Sequence, residues 1–208
     1  MTLLRRSVSV VDHGIGNIGS ITNALRVCGY DSTLIRDPDE LHDASIVVLP
    51  GVGNFGRVIS AIQETGLHEA IRDYVFEDRP MLGICVGMQV LFQGSTESPD
   101  SNGFGVFKGE LNHLSSLDST KVTPSVGWKK LIHVASPEEL LLEEAYFVHS
   151  YFAAGIDSAD LVSSYAWEGH LVPSHVGRGR VQGVQFHPEK SRLGGLRFLD
   201  RVLQDISK

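Results

Sequence analysis

The sequence predicts an α/β fold in which a mostly parallel central sheet carries helices on both faces, with an antiparallel extension in the second half. Short apolar runs alternate with amphipathic helical patterns from residue 8 to about residue 93. From residue 104 to residue 186 the apolar runs are short and separated by turn residues, which is typical of hairpins. The length of 208 residues is that of one domain, so residues 1–208 are expected to form a single unit.

Four strands are predicted in the first half, because each is an apolar run that ends at turn residues. They are residues 8–12, 32–36, 46–49 and 81–84. Three helices are predicted because apolar residues recur at helical spacing. One carries Ile18, Ile21, Leu25 and Cys28 and ends at Gly29, a second carries Leu67, Ala70, Ile71, Tyr74 and Val75, and a third covers residues 86–93.

The second half is predicted to fold into antiparallel strands and to close with a helix. Residues 95–102 form a polar loop, and turn residues interrupt short runs, as at residues 166–171, which favours hairpins. Ser191 is a candidate N-cap of the closing helix. That helix is predicted from four apolar residues on one face, Leu196, Leu199, Leu203 and Ile206.

Composition excludes several classes of protein. The 25 acidic and 18 basic residues give a net charge of −7, which disfavours a nucleic-acid-binding surface. No apolar run approaches the roughly 20 residues of a membrane helix, and residues 1–6 lack the features of a signal peptide, so a cytoplasmic protein is expected. Two cysteines cannot form a disulfide scaffold or a four-cysteine zinc site. We expect no metal and no cofactor.

The two cysteines have different predicted roles. Cys28 lies on the apolar face of a helix, where cysteine packs as a small hydrophobic side chain. Cys85 follows a buried strand and precedes a helix in the segment G-I-C-V-G-M-Q at 83–89. The flanking glycines permit a sharp turn that lifts a nucleophile above the sheet edge, and the N–H groups of a helix starting at Val86 favour a thiolate. A buried cysteine in a glycine-rich turn is the alternative.

His187 and Glu189 are candidates for the proton carrier and the orienting group that a thiolate nucleophile needs. An apolar run at 184–186 leads into H-P-E at 187–189, and Pro188 restricts His187 to an extended conformation. Residues i and i+2 of an extended chain project to the same side, so the Glu189 carboxylate can set the tautomer of the His187 ring. A histidine at a strand end beside a solvated carboxylate is the alternative.

Together, the cysteine elbow and the H-P-E segment resemble the class I glutamine amidotransferases, the triad glutaminases. The resemblance extends over nearly the whole chain. It implies that Cys85 attacks the side-chain amide of glutamine to form a glutamyl thioester. It also implies that His187 protonates the departing ammonia and then activates water, while Glu189 orients His187. Papain-like proteases, which place an early cysteine before a distant histidine and asparagine, do not fit.

Four segments resemble one branch of this family, the glutaminase subunits of imidazole glycerol phosphate synthase. They are V-D-H-G-I-G-N at 11–17, P-G-V-G-N-F at 50–55, Y-F-V-H-S-Y at 146–151 and H-P-E-K-S at 187–191. The resemblance implies a heterodimer in which ammonia passes to a (β/α)8-barrel cyclase. The pair would make imidazole glycerol phosphate and an aminoimidazole carboxamide ribotide in histidine biosynthesis.

The segment at 50–55 supplies candidates for an oxyanion hole. Its glycines free the backbone at Gly51 and Val52 to turn an N–H towards a developing oxyanion, and the N–H of Val86 would be the second donor. An ordinary strand-to-loop turn is the alternative.

Other residues of these segments are candidates for binding the substrate. Gln89 lies one helical turn after Cys85 and can hydrogen-bond glutamine, or it is a neutral helix former if it faces away. By resemblance, the remaining substrate-binding positions are Gly53, His149, Ser150 and Tyr151, the last three through their backbone.

The chain has no residues left for a synthase domain and lacks a G-x-x-x-x-G-K-[ST] nucleotide loop. The released ammonia is therefore expected to serve a separate protein, unless the enzyme is a free-standing glutaminase, and the resemblance implies the separate protein. His13 stands where the family commonly has Tyr. Ser125, Val126 and Lys129 also differ from the family pattern, because this chain has P-S-V-G-W-K at 124–129 where the family has P-H-M-G-W-N. These segments are expected to border the cyclase.

Three alternatives to this function remain. Because four residues differ from the family pattern where the cyclase is expected to bind, the protein can be a paralogue that serves a different barrel synthase, for example in surface-sugar biosynthesis. A catalytically silent interaction subunit is a second alternative, against which the intact cysteine, histidine and glutamate argue. A redox or chaperone-like cysteine protein is a third, and it would not need the H-P-E segment.

Overall fold

The computed structural model describes residues 6–134 and 142–208. Residues 1–5, which belong to the segment considered for a signal peptide, and residues 135–141 lie outside these ranges. The strands within them are β1 (Arg6–Val11), β2 (Tyr30–Ile35), β3 (Val47–Gly51), β4 (Met81–Cys85), β5 (Gly94–Ser95), β6 (Glu110–His113), β7 (Ser125–His133), β8 (Glu144–His149), β9 (Tyr151–Ala154), β10 (Leu161–Trp167), β11 (His170–Arg178) and β12 (Val181–Val184). The α-helices are α1 (Ile18–Val27), α2 (Pro38–His42), α3 (Phe55–Glu64), α4 (Leu67–Phe76), α5 (Val86–Gln89) and α6 (Arg192–Ile206).

A nine-stranded sheet in the order β2-β1-β3-β4-β12-β11-β10-β7-β8 forms the centre of the described fold. The neighbours from β2 to β12 in this order are parallel, and those from β12 to β8 are antiparallel. The predicted parallel sheet with an antiparallel extension is therefore confirmed. Strands β5, β6 and β9 form a separate three-stranded sheet.

The helices cover both faces of the parallel strands. The connection from β1 to β2 runs to one side of β1, and the connection from β3 to β4 runs to the other side. Since such crossovers are right-handed, α1 lies on one face and the pair α3 and α4 lies on the opposite face. Helix α1 packs against α6, and α4 packs against α2 and α3.

The core has its centre at the parallel strands, of which β3 and β4 are the most apolar. Strands β3 and β4 are buried at every residue, as expected for parallel strands covered on both faces. The predicted apolar faces of α1 and α6 pack into this core, with Leu25, Leu203 and Ile206 almost fully buried. No helix in the described ranges has both the length and the apolar character that a membrane span requires.

Cys28 packs at the end of α1, as the sequence predicts. Its thiol is half-buried and donates to the Leu196 carbonyl at 3.3 Å. Burial, reinforced by the Asp200 carboxylate, raises the pKa of this thiol to about 11. Cys28 is therefore a protonated packing residue at neutral pH.

The predicted helix at 86–93 is wrong in its extent, because α5 ends at Gln89. The chain then tightens into turns, in which the N–H of Phe92 donates to the Gln89 carbonyl at 3.1 Å. The next carbonyl, that of Val90, accepts instead from the N–H of Phe104 at 2.8 Å. Pairing with the segment around Gly103 therefore replaces further helical hydrogen bonds.

Two helices form where none was predicted. Helix α2 begins with a capping box between Asp37 and Glu40. Helix α3 follows directly on the glycine-rich loop at 50–53, and the Asn54 side chain caps it by accepting from the N–H of Arg57 at 3.0 Å.

Candidate active site

Cys85 occupies a strained elbow between β4 and α5, with no intervening residue. Its backbone has φ 56° and ψ −113°. A positive φ is uncommon for a residue with a side chain, and such strain clusters at functional sites. The sharp strand-to-helix turn predicted from the flanking glycines is therefore present.

The glycines of the elbow are required by close backbone packing. A Cβ on Gly83 would lie 2.6 Å from the Gly87 carbonyl oxygen, and one on Gly51 would lie 2.7 Å from the Gly87 nitrogen. A Cβ on Gly87 would overlap the Leu49 carbonyl oxygen. Because α5 rests directly on β3 and β4, the position of the Cys85 sulfur is fixed by backbone contacts.

The two strands that flank β4 bring the other predicted groups to Cys85. In the register with β3, Gly51 lies opposite Cys85. In the register with β12, Val184 lies opposite Ile84, so the chain continues past the end of β12 towards His187 beside the elbow. The carboxyl ends of parallel strands are where α/β folds bind ligands.

The His187 ring is held by Glu189 in a dry environment. Its Nδ1 donates to Glu189 Oε1 at 2.8 Å, and both side chains are less than 5% exposed, at 3% and 4%. The predicted pairing of His187 with Glu189 is present, but the prediction that both residues lie on an extended backbone is wrong. Only His187 is extended, and residues Pro188–Lys190 form a 3₁₀ turn because the fixed φ of Pro188 suits the first position of a helical turn.

Ser191 stabilises this turn in place of capping α6. Its hydroxyl donates to the His187 carbonyl at 2.7 Å and accepts from the Tyr146 N–H at 3.0 Å. Ser191 occupies the N-cap position, but its side chain makes no capping hydrogen bond. The hydroxyl thereby ties the His187 backbone to β8.

The surroundings of His187 favour its protonated form. Burial opposes the charge, but interactions with the nearby Cys85 thiol and then with Glu189 outweigh burial and raise the pKa of His187 to about 9. The Nε2 atom has no hydrogen bond of ordinary geometry to another described residue, so it is the ring nitrogen left for the thiol. A thiol beside a carboxylate-oriented imidazole is the arrangement used for nucleophilic catalysis.

A cavity of about 370 Å³ opens onto Cys85 and His187. This volume is within the range of small-molecule sites. It is lined by nine of the predicted site residues, Val52, Gly53, Cys85, Val86, Gln89, His149, Ser150, Tyr151 and His187. The other two lie behind it: Gly51 packs against Val86, and Glu189 is covered by His187.

Gln89 and His149 are turned in ways that the sequence did not predict. Gln89 is 4% exposed, and its Nε2 donates to Gln185 Oε1 at 3.0 Å. The His149 ring points into the sheet, where Nδ1 donates to the Tyr151 carbonyl at 2.8 Å and Nε2 accepts from the Tyr165 hydroxyl at 2.9 Å. Burial lowers the pKa of His149 to about 4, so the ring is neutral at neutral pH.

Glu97 and Lys190 are charged cavity residues that the sequence interpretation did not assign. Glu97 belongs to the polar loop after β5, and its Oε2 accepts from the Phe55 N–H at 2.7 Å. Lys190 ends the 3₁₀ turn that carries Glu189. Lys190 belongs to the H-P-E-K-S segment at 187–191, whereas no local sequence signal singles out Glu97.

Of the departures from the family pattern, His13 contacts β3, and Ser125, Val126 and Lys129 lie on β7. His13 is buried, and its Nε2 donates to the Pro50 carbonyl at 2.8 Å. Ser125 pairs with His149, and Val126 pairs with Val148, which lines the cavity. Val126 is exposed.

No group of three or more His, Cys, Asp or Glu side chains suited to a metal ion occurs among the described residues. A larger cavity, of about 650 Å³, lies beside α6. None of the predicted site residues lines this larger cavity, so we centre the candidate site on the cavity at Cys85.

Comparison with known proteins places this geometry in a family. The family model for "Glutamine amidotransferase class-I" matches residues 9–203. The chain belongs to the class-I glutamine amidotransferases. A crystal structure of a glutamine amidotransferase superposes with a TM-score of 0.75 at 19% identity, covering 96% of this chain and 98% of that chain, which shows the shared fold.

Within this family the chain groups with the HisH subunits of imidazole glycerol phosphate synthase. It is 42% identical to the HisH subunit of Methanopyrus kandleri over 97% of this chain and 99% of that protein. It is 39% identical to the Bacillus subtilis subunit over 92% and 93% of the two chains. A chloroplastic Arabidopsis thaliana relative, imidazole glycerol phosphate synthase hisHF, is 39% identical over 94% of this chain but only 34% of its own length.

Proposed function

We propose that this class-I glutamine amidotransferase hydrolyses glutamine to glutamate and ammonia, and that it supplies the ammonia for imidazole glycerol phosphate synthesis in histidine biosynthesis. The observation that carries the proposal is that Cys85, on a strained elbow, and His187 line one cavity, with Glu189 held against His187. The HisH relatives support the choice of pathway.

The chemistry proceeds through a thioester on Cys85. The thiolate attacks the side-chain amide carbon of glutamine, and the protonated His187 gives its proton to the leaving nitrogen, so that ammonia departs. His187 then accepts a proton from water, which attacks the thioester carbon. Cleavage of the carbon–sulfur bond releases glutamate and restores Cys85. Glu189 holds His187 in one tautomer through both steps.

The oxyanion is held by backbone donors. The N–H of Val86, first in its helix, has no intrahelical partner and lies beside the sulfur. Gly51 packs directly against Val86, so the backbone of Gly51 and Val52 is near enough to supply the second donor. Such a pair stabilises the tetrahedral intermediate.

The α-amino and α-carboxylate groups of glutamine bind at the outer part of the cavity. The backbone of His149, Ser150 and Tyr151 lines one wall, with Gly53 and Gln89 on others. Glu97 adds a carboxylate that matches the α-ammonium group in charge.

The partner is a (β/α)8-barrel cyclase in a heterodimer. The Arabidopsis relative is an imidazole glycerol phosphate synthase that is much longer than this chain, which supports the need for additional synthase residues. A paralogue that serves a different synthase is not favoured, because relatives of up to 42% identity are HisH subunits. We also propose that residues 1–208 form one domain, since the family model spans residues 9–203. A cytoplasmic location is a further proposal, made from the sequence.

Activity of the reconstituted pair tests the proposal. With the cyclase present, Cys85→Ala should abolish glutamine-dependent synthesis and leave ammonia-dependent synthesis intact. A glutamine-analogue electrophile should label Cys85 and leave Cys28 unlabelled. Labelling at Cys28, or loss of both activities in Cys85→Ala, contradicts the assignment.

A further inference from the structure

A chain of buried amide groups lies behind the Cys85 sulfur. Gln185, just past the end of β12, is fully buried. Its Nε2 lies 3.8 Å from Cys85 Sγ, and its Oε1 accepts from Gln89 Nε2 at 3.0 Å. The same Gln89 nitrogen lies 3.4 Å from the Tyr151 carbonyl oxygen. This series of hydrogen-bonded amide groups therefore connects the Tyr151 carbonyl in the cavity wall to the Cys85 sulfur.

The direction of these hydrogen bonds follows from the Tyr151 carbonyl. A backbone carbonyl can only accept, so the Gln89 atom that faces it must be the NH₂ group. Because this NH₂ group also faces Gln185, the Gln185 atom that meets it must be the carbonyl oxygen. The other end of the Gln185 amide, which faces Cys85, is then its NH₂ group, a donor.

A second contact makes the Tyr151 carbonyl a fixed reference point. His149 Nδ1 donates to the same oxygen, and the far side of that ring accepts from the Tyr165 hydroxyl. The side chains of His149, Tyr165 and both glutamines are buried, so their hydrogen bonds are costly to break. Neither amide can therefore reverse without leaving a buried polar group unpaired.

We propose that Gln185 is a positioning residue for Cys85, donating an N–H to the thiolate and fixing the direction in which the sulfur points. The inference deepens the proposed function, on which it rests. A donor aimed at a buried anion stabilises the charged form, and here burial excludes the water that would otherwise supply one. Gln185 thus completes the thiolate's surroundings on the side opposite to solvent.

The experiment is the pH profile of Cys85 alkylation by iodoacetamide in the full-length chain, with the modified cysteine identified by mass spectrometry. Gln185→Met removes the donor with little change in length, and Gln185→Glu keeps the shape and replaces the NH₂ group by a carboxylate oxygen. We expect alkylation at pH 7 to slow about tenfold in Gln185→Met and further in Gln185→Glu, with the profile moved to higher pH.

Gln182→Leu is the matched control, because Gln182 is a buried amide on β12 that contacts His175 instead of Cys85. It should leave the alkylation profile of Cys85 unchanged. If folded Gln185→Met and Gln185→Glu both retain the wild-type profile, the proposal is wrong. Alkylation needs neither glutamine nor the cyclase, so this result is independent of whether the proposed glutaminase activity is found.

Discussion

His187 Nδ1 lies 2.8 Å from Glu189 Oε1, and both side chains are almost completely excluded from solvent. The backbone that makes this contact is a 3₁₀ turn beginning at Pro188. The contact leaves Nε2 as the only ring nitrogen that can exchange a proton with Cys85 or with a reacting group. The carboxylate therefore sets both the tautomer and the direction of the ring.

The first prediction concerns the titration of His187. Its midpoint by NMR should lie near pH 9, since interactions with Cys85 and Glu189 raise its pKa from 6.5 to about 9. The charged ring stabilises the folded state below pH 6.5, and this contribution is lost as the pH rises through 9. Cys85→Ala and Glu189→Gln should each lower the midpoint, whereas Cys28→Ser should not. If neither Cys85→Ala nor Glu189→Gln lowers the midpoint of His187, the described contacts of the ring with Cys85 and Glu189 are wrong.

Local chemistry explains why the elbow could be predicted. Gly83 and Gly87 flank Cys85 within one short segment, and the turn they permit depends on those residues alone. The pairing of His187 with Glu189 was also predictable, but its backbone was not. Pro188 fits both an extended chain and the first position of a helical turn, and tertiary contacts of Ser191 with β8 select the turn.

Long-range pairing explains what the sequence could not reveal. Gln185 meets Cys85 across 100 positions of the chain, because β12 pairs in parallel with β4 on one side and antiparallel with β11 on the other. Glu97 reaches the cavity from a polar loop whose composition predicts only solvent exposure. Helix α3 was missed because the glycines before it indicate a turn, although Asn54 is a good N-cap.

The second prediction tests the packing of the elbow. Gly87→Ala should reduce kcat/KM for glutamine by roughly 100-fold or more, because a Cβ would overlap the Leu49 carbonyl and displace the nucleophile. Glutaminase assays with the cyclase present measure this. Gly19→Ala is the matched control, since Gly19 is an exposed glycine of α1 with no atom within 4 Å of an added Cβ. Near-normal activity of Gly87→Ala would show that α5 does not rest on β3 as described.

The third prediction concerns acid stability. Burial lowers the pKa of His149 and of His175 from 6.5 to about 4. Unfolding exposes rings that bind protons more readily, so stability is complete above pH 6.5 and falls as the pH drops to 4. Each ring contributes roughly 3 kcal/mol at most to this loss.

Urea unfolding at pH 7 and pH 4.5 measures the loss. His175→Gln should flatten the pH dependence between these values, although it lowers stability at pH 7 by removing the hydrogen bond to Gln182. His42→Gln is the control, because His42 is exposed on α2 and, among the described residues, its ring pairs with the neighbouring, exposed Asp43. Equal pH dependence in wild type and His175→Gln would mean that the ring is not buried in its neutral form.

The last prediction concerns substrate binding by Glu97. Glu97→Gln should raise KM for glutamine about tenfold with a smaller change in kcat, because it removes the charge that faces the α-ammonium group far from the reacting amide. The amide oxygen of the side chain introduced at position 97 can still accept from the Phe55 N–H, so the conformation of the loop is preserved. Glu110→Gln, on the exposed side of β6, controls for the change in net charge. A fall in kcat with KM unchanged would instead assign Glu97 to the chemical step, and would remove it from the binding of the ammonium group.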